Sequence, residues 1–128
     1  MYEVSVKTHF SAAHHLRGYH GSCEEHHGHN WDVEVFVRGE SLDKTGILVD
    51  FRELKKVLRN LLAELDHKDL NRVKAFRKQN PTSENIARHL YQRLSLKLTR
   101  KGHCVSLVRV CETPTSSATY SEPDAMSG

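Results

Sequence analysis

Two stretches of strict alternation, joined by a histidine-rich loop, constrain this chain more than any other feature. In residues 2–13, Tyr2, Val4, Val6, Thr8 and Phe10 share one parity, with Glu3, Ser5, Lys7 and His9 on the other. In residues 29–39, Trp31, Val33, Val35 and Val37 alternate with Asp32, Glu34 and Arg38. A period of two with one apolar side is the pattern of a half-buried strand. Residues 15–28 between them are polar and carry Gly18, Gly21 and Gly28, the composition of a loop. The two strands are therefore expected to be antiparallel neighbours.

The rest of the chain divides cleanly. Glu40 to Gly46 is turn-rich, and Ile47, Leu48 and Val49 read as a short extended piece. Asp50, with Glu53 three residues on, is a helix start of the capping-box type. Phe51, Leu54, Val57, Leu58, Leu61, Leu62 and Leu65 follow at helical spacing. Asp66 to Asn80 is polar and irregular. After Pro81, either Thr82 or Ser83 can cap a second helix, and Glu84 suits its positive end. The apolar stripe of that helix is Ile86, Ala87, Leu90, Tyr91, Leu94 and Leu98. Residues 104–113 form a valine-rich third strand, with a short fourth strand near Ser117–Ser121. The order strand, strand, helix, helix, strand, strand predicts an α+β fold with an antiparallel sheet and both helices on one face. The length of 128 residues suits one domain, 1–121, followed by a polar tail, 122–128.

Charge and composition exclude several functions. The net charge is +3, and the basic residues Lys55, Lys56, Arg59, Arg72, Lys74, Arg77 and Lys78 are interspersed with apolar and acidic ones. These are solvated faces rather than a nucleic-acid surface. No apolar run approaches 18 residues, so no membrane span is expected. Met1-Tyr2-Glu3-Val4 reads as a strand start, not a signal peptide. Three irregularly spaced cysteines, Cys23, Cys104 and Cys111, fit reduced thiols in a cytoplasm.

Ten histidines are an excess, and His14, His15, His20, His26, His27 and His29 fall within sixteen residues. His27 and His29 share parity with Trp31, and His14 with Phe10. On adjacent antiparallel strands all three converge at one end of the apolar face. Three imidazoles are the ligand set of an open zinc site, although imidazole also suits iron, copper and nickel. The alternative is a group of unrelated surface histidines near a turn. His15, His20 and His26 are less constrained, and His20 reads as surface. Cys23, four residues before His27, is either a fourth ligand closing a structural site or a thiolate standing off the metal. Asp66-His67 is either an imidazole oriented by a carboxylate or a cationic helix end. Glu112 lies in an apolar strand, where it either grips N–H donors of a ligand or faces solvent.

Several of these segments occur together in one known family. Phe10-Ser11-Ala12-Ala13-His14, Cys23-x3-His27-Gly28-His29-Asn30, Gly46-Ile47-Leu48-Val49-Asp50-Phe51, Leu65-Asp66-His67, Pro81-Thr82-Ser83-Glu84-Asn85 and Cys111-Glu112-Thr113 run in its order. The chain thus resembles the 6-pyruvoyltetrahydropterin synthase / 6-carboxytetrahydropterin synthase family over about residues 2–121. The resemblance implies the tunnelling fold (T-fold), a four-stranded antiparallel sheet with two helices. It also implies a homohexamer of two trimers with active sites between subunits. By the same resemblance His14, His27 and His29 match the ligands of one zinc per subunit. Cys23 matches the catalytic base, Asp66 and His67 its relay partners, and Glu112 the pterin anchor. Thr82 and Ser83 fall where the family places pterin-pocket hydroxyls. Lys7, His9 and Arg17 are basic candidates for the triphosphate.

The substrate so implied is 7,8-dihydroneopterin triphosphate. One branch of the family keeps all three side-chain carbons, giving the pyruvoyl product. The other loses two as acetaldehyde and feeds queuosine synthesis. The three-residue gap between Cys23 and His27 is similar to the carboxy branch, whereas animal pyruvoyl enzymes carry a longer insertion. Glu24-Glu25-His26 is an unusual filling for it. The expectation is a 6-carboxytetrahydropterin synthase, with the pyruvoyl synthase as alternative. A non-catalytic zinc protein, closed by Cys23, is the alternative from another class, and an RNA-binding module has only mild positive charge behind it.

Overall fold

The structure, a computed structural model, describes residues 1–18 and 27–123. Strand β1 runs Tyr2–His14 and β2 runs His27–Gly39. Helix α1 follows at Phe51–Leu62, then a two-residue strand β3, Lys68–Asp69, and two 3₁₀ turns, Leu70–Arg72 and Lys74–Phe76. Helix α2 is Ser83–Leu98, β4 is His103–Thr113 and β5 is Ser116–Tyr120. The six expected elements are present, and the fold is α+β.

The sheet differs from the expected four antiparallel strands. It has five strands in the order β3-β1-β2-β4-β5, and β3 lies parallel to β1, pairing Ala12 with Lys68 and Ala13 with Asp69. So short a strand has no periodicity of its own, and it sits in the stretch read as irregular. Residues 47–49 form no strand, although their composition favours one. Strand character needs a neighbour to hydrogen-bond, not propensity alone.

One layer of side chains joins sheet to helices. Trp31, Val33, Val35 and Val37 of β2 are completely buried, as are Val108 and Val110 of β4. Against them pack Leu54, Leu58, Leu61 and Leu62 of α1 and Ile86, Leu90 and Leu94 of α2. Each such side chain contributes about 1.5–3 kcal/mol of burial. The opposite face stays polar, where Glu34 accepts from Ser5 at 3.0 Å and Arg109 at 3.4 Å.

The helix starts are those expected, with one refinement each. The Asp50 carboxylate accepts from the Arg52 N–H at 2.8 Å. Of the two candidate caps on α2, Thr82 is the one used, accepting from Asn85 N at 3.0 Å. Such a cap is worth about 1 kcal/mol.

Two glycines separate by environment. Gly39 is buried between Tyr2 and His103 in the sheet. A Cβ there would collide with the Gly102 carbonyl oxygen and come within 2.6 Å of Leu48 Cδ1. Gly28 has nothing within 4 Å of where its Cβ would stand, so among the described residues it is not required by space. Gly39→Ala should lower stability by about 1–3 kcal/mol, the usual range for overpacking. Gly28→Ala should leave stability nearly unchanged. Urea unfolding of the two variants checks both.

Candidate metal centre

The register of β1 on β2 builds the centre. His14 is the Cα partner of His27, and Ala12 of His29. His27 and His29 lie two residues apart on one strand and so point to the same face. That is the face carrying Phe10 and Trp31, the row both alternating patterns put inside. The rings meet edge to face, with centroids 4.7 Å apart for His14–His27, 4.4 Å for His27–His29 and 5.2 Å for His14–His29. Trp31 forms the floor, 4.9 Å from the His14 ring and 5.4 Å from His29. Its indole N–H donates to the Ala12 carbonyl at 3.3 Å.

A fourth group enters from β4. Glu112 has the parity of Val108 and Val110, so its carboxylate continues their buried row. Strand β4 also bulges there. Cys111 pairs with Ser117 and Thr113 with Ser116, so two steps on β4 oppose one on β5 and Glu112 is the extra residue. Bulges of this kind re-aim a side chain. Glu112 Oε1 ends 3.0 Å from His14 Nε2, 3.0 Å from His29 Nε2 and 4.0 Å from His27 Nε2. The ligand atoms of His14, His27, His29 and Glu112 all lie within 4.8 Å of one another.

The donor set fits a metal ion. His14 Nδ1 donates to the Pro81 carbonyl at 2.8 Å, because a carbonyl oxygen can only accept. That fixes the tautomer and leaves Nε2 facing the centre, the usual arrangement behind a ligating histidine. His29 Nε2 is buried and out of line for a hydrogen bond, so among the described residues it has none. Burial holds the His29 pKa below the ordinary imidazole value, against the opposing effect of Glu112 and with His27 and His14 adding to the depression. A neutral imidazole is the form that binds metal. One carboxylate oxygen and three imidazole nitrogens converge on one point, a set of atoms that could hold a cation.

The other expected site residues lie around this centre. Asp66 and His67 form a staple on the edge of β1. Asp66 Oδ1 accepts from the Ser11 N–H at 2.9 Å, and the His67 N–H donates to the Ser11 carbonyl. Asp66 Oδ2 lies 3.0 Å from His67 Nδ1, which orients the imidazole. His67 has φ +59°, unusual for a side chain of its size. Its side chain is 81 % exposed. It therefore points away from its own chain and is available to whatever approaches that edge.

Thr82 and Ser83 follow Pro81, whose carbonyl holds His14, so they stand near the centre through that link. The Thr82 hydroxyl oxygen is engaged as the helix cap. Cys23 lies outside the described residues, as do His20 and His26.

Arg17 proves to be a clamp. Its guanidinium donates to the carbonyls of Phe76 (2.8 Å), Asn71 and Gln79 (both 3.3 Å). The Asn71 amide accepts from His15 N at 2.9 Å and donates to His15 O at 3.1 Å. Asn80 does the same for the Arg17 backbone, at 2.9 and 3.0 Å. These two amides and the Pro81 carbonyl were not legible as site supports. Asn80-Pro81 reads as a turn, and a backbone carbonyl leaves no mark in a sequence. Lys7 and His9 are exposed on the polar face of β1, opposite Glu34 and Asp32.

The staple has a measurable consequence. The Asp66 pKa is lowered, chiefly by the hydrogen bond from Ser11 N and then by His67. A depressed folded value makes the carboxylate stabilising above the unfolded value of about 3.9, and that stabilisation is lost as pH falls through the folded value. Carbon-detected NMR titration should place Asp66 below ordinary aspartate, and Ser11→Pro, which removes the donor, should move it back up.

With the geometry in place, comparison with known proteins is direct. The chain is 36% identical over 127 residues to the 6-carboxy-5,6,7,8-tetrahydropterin synthase of Bacillus subtilis, covering 93% of this chain and 84% of that protein. It is 40% identical over 95 residues to the dihydroneopterin monophosphate aldolase of Pyrococcus furiosus, covering 74% and 76%. Its fold matches the structure of Caenorhabditis elegans 6-pyruvoyl tetrahydropterin synthase with a TM-score of 0.86 and 29% identity, over 94% of this chain and 95% of that one. Residues 3–123 match the 6-pyruvoyl tetrahydropterin synthase family throughout, and the chain belongs to that family.

Proposed function

We propose that this protein is a zinc-dependent 6-carboxytetrahydropterin synthase of queuosine synthesis, converting 7,8-dihydroneopterin triphosphate to 6-carboxytetrahydropterin, acetaldehyde and triphosphate. The observation that carries the reading is the convergence of His14, His27, His29 and Glu112 from three strands, in a chain similar to the Bacillus enzyme over most of its length. Residues 1–121 act as the synthase unit, and the odd cysteine count supports a cytoplasmic setting.

The residues divide the work by their chemistry. His14, His27 and His29 hold one zinc ion per subunit. When bound, zinc supplies Lewis acidity toward the oxygens of the substrate side chain. Glu112 accepts from the N–H donors of the pterin ring, a charge-assisted pair that fixes the ring's orientation. Thr82 and Ser83 border the ring pocket. Cys23 is the base that moves protons on the side chain, and its assignment rests on sequence position. Asp66 keeps His67 in one tautomer as its proton-transfer partner. The basic residues Lys7 and His9, both exposed on β1, remain the candidates for the triphosphate.

An exposed His67 makes sense if a second subunit faces it, and we infer a hexamer of two trimers with shared sites. Exposed apolar side chains support association. Tyr2, Leu42, Ile47 and Phe51, all exposed, line one groove of about 540 Å³, and clustered exposed apolar side chains suit a protein contact.

The relative from Pyrococcus favours a second reading, an aldolase acting on a pterin monophosphate. One experiment separates the outcomes. The zinc-loaded protein is incubated anaerobically with 7,8-dihydroneopterin triphosphate and, separately, with the monophosphate, and products are read by mass. The synthase reading expects 6-carboxytetrahydropterin and acetaldehyde from the triphosphate. A 6-pyruvoyl product would move the chain to the other branch. Turnover of the monophosphate alone would establish the aldolase. No turnover of either, with zinc bound, would leave a metal-binding protein.

A further inference from the structure

The carbonyl behind His14 is itself held, and one residue holds it from both sides. Pro81 is buried, and its carbonyl accepts from His14 Nδ1 at 2.8 Å. The direction of that oxygen depends on the peptide units before and after it. The proline ring fixes φ at about −65°, but it brings no N–H to anchor the preceding peptide. Asn85 supplies the anchor. Its side-chain Nδ2 donates to the Asn80 carbonyl at 2.9 Å, just ahead of Pro81. Its backbone N–H donates to the Thr82 hydroxyl oxygen at 3.0 Å, just after Pro81. Asn85 thus brackets the residue whose carbonyl touches His14.

An asparagine amide can present either end, and here its orientation is set. Arg88 donates to Asn85 Oδ1 at 3.3 Å and to Gln79 Oε1 at 2.6 Å. A guanidinium has donors only, so it takes the oxygen end of each amide and turns the NH₂ end away. The Asn85 NH₂ then meets the Asn80 carbonyl, and the Gln79 NH₂ meets the Ala75 carbonyl at 3.1 Å. From the other side Arg17 donates to the Gln79 carbonyl, and its backbone exchanges two bonds with the Asn80 side chain. Residues 79–81 are therefore fixed both to α2 and to the segment leaving β1.

We propose that Asn85 is a positioning residue of the metal centre, which aims the Pro81 carbonyl at His14 Nδ1 and so keeps His14 Nε2 turned toward the other histidines. The inference rests on the reading of His14 as a zinc ligand, and it adds a residue that acts on that ligand through the backbone. The bond on the second nitrogen of a ligating imidazole sets both its tautomer and its ring angle. His14 depends on that bond more than its neighbours do. Its side chain is 3 % exposed, against 30 % for His27 and 21 % for His29. Water can replace a lost partner at an exposed ring, whereas a buried N–H without its acceptor bears the full cost of desolvation. With Pro81 turned aside, His14 is driven to rotate or to change tautomer, and either change takes Nε2 out of place.

Two measurements test this without turnover, on the unaltered protein and on Asn85→Asp. The change is isosteric: it keeps an oxygen for Arg88 and puts an acceptor where the donor to Asn80 stood. Nitrogen NMR of the metal-free proteins reads the tautomer of each histidine ring. The unaltered protein should show His14 protonated on Nδ1, and Asn85→Asp should shift the His14 ring signals toward the other tautomer. Zinc affinity is then determined by competition with a chromophoric chelator. Loss of an outer-shell partner costs about 10–100-fold in metal affinity, and Asn85→Asp should fall at the lower end, about 10-fold. Leu98→Ala, a core change at the far end of α2, is the control for lost stability and should alter neither readout. If Asn85→Asp does not fold, Arg88→Met decides, since it frees the Asn85 amide to turn and should move both readouts the same way. Unchanged His14 signals, zinc affinity within about threefold, or an equal loss in Leu98→Ala would overturn the proposal. Failure of the unaltered protein to bind zinc would sink the zinc reading and the metal role of Asn85 with it, while the ring signals would still decide whether Asn85 aims His14.

Discussion

The pairing of β1 with β2 is the constraint on which everything else depends. Because side chains alternate along a strand, a slip of one residue would turn the buried row of β2 outward and scatter the histidines. The register is held by contacts between its own partners. Phe10 and Trp31 are register partners with parallel rings 5.9 Å apart. The Trp31 indole then ties the turn of the pattern to Ala12. Four positions further along, the same register sets His14 against His27. The candidate metal centre is thus the polar end of a hydrophobic row, and the placement of its four side chains is inherited from core packing. Sites placed on strands in this way are more precise than sites carried on loops.

Around this row the chain spends polar groups on holding backbone in place. Asn71 and Asn80 each make a pair of bonds to the segment leaving β1, as a neighbouring strand would. Arg17 gathers three carbonyls of the 3₁₀ region, where the backbone cannot satisfy itself. The Asp66–His67 staple does the same for Ser11 on the outer edge. There His67 accepts a left-handed backbone, and strain of that kind is kept where function needs a side chain aimed outward.

Much of this was legible in the sequence, for a physical reason. Wherever a segment buries one face, its period appears in the residues. That is why β1, β2, α2, β4 and the start of α1 could be placed within one or two residues, whereas the apolar spacing carries α1 on to Leu65, three residues past its end at Leu62. His27 proved to be inside β2, which made the parity argument for His27 and His29 sound. What could not be read has no period. Strand β3 is two residues long and the 3₁₀ turns are shorter than any pattern. The Ile47–Val49 segment has strand composition and no partner. Glu112 is an acid in an apolar strand, which leaves ligand contact and solvent exposure equally open in the sequence. That it reaches His14 and His29 required knowing that β4 lies beside β2. The backbone support of His14 by Pro81 had no signal at all.

Whether the end of this apolar row binds a metal is tested most directly by diffraction from crystals grown with zinc, recorded on both sides of the zinc absorption edge. The account expects one anomalous peak per chain, about 2.0–2.1 Å from Nε2 of His14, His27 and His29. A well-ordered cluster with no peak between those three nitrogens, at zinc concentrations that saturate the protein, would contradict it.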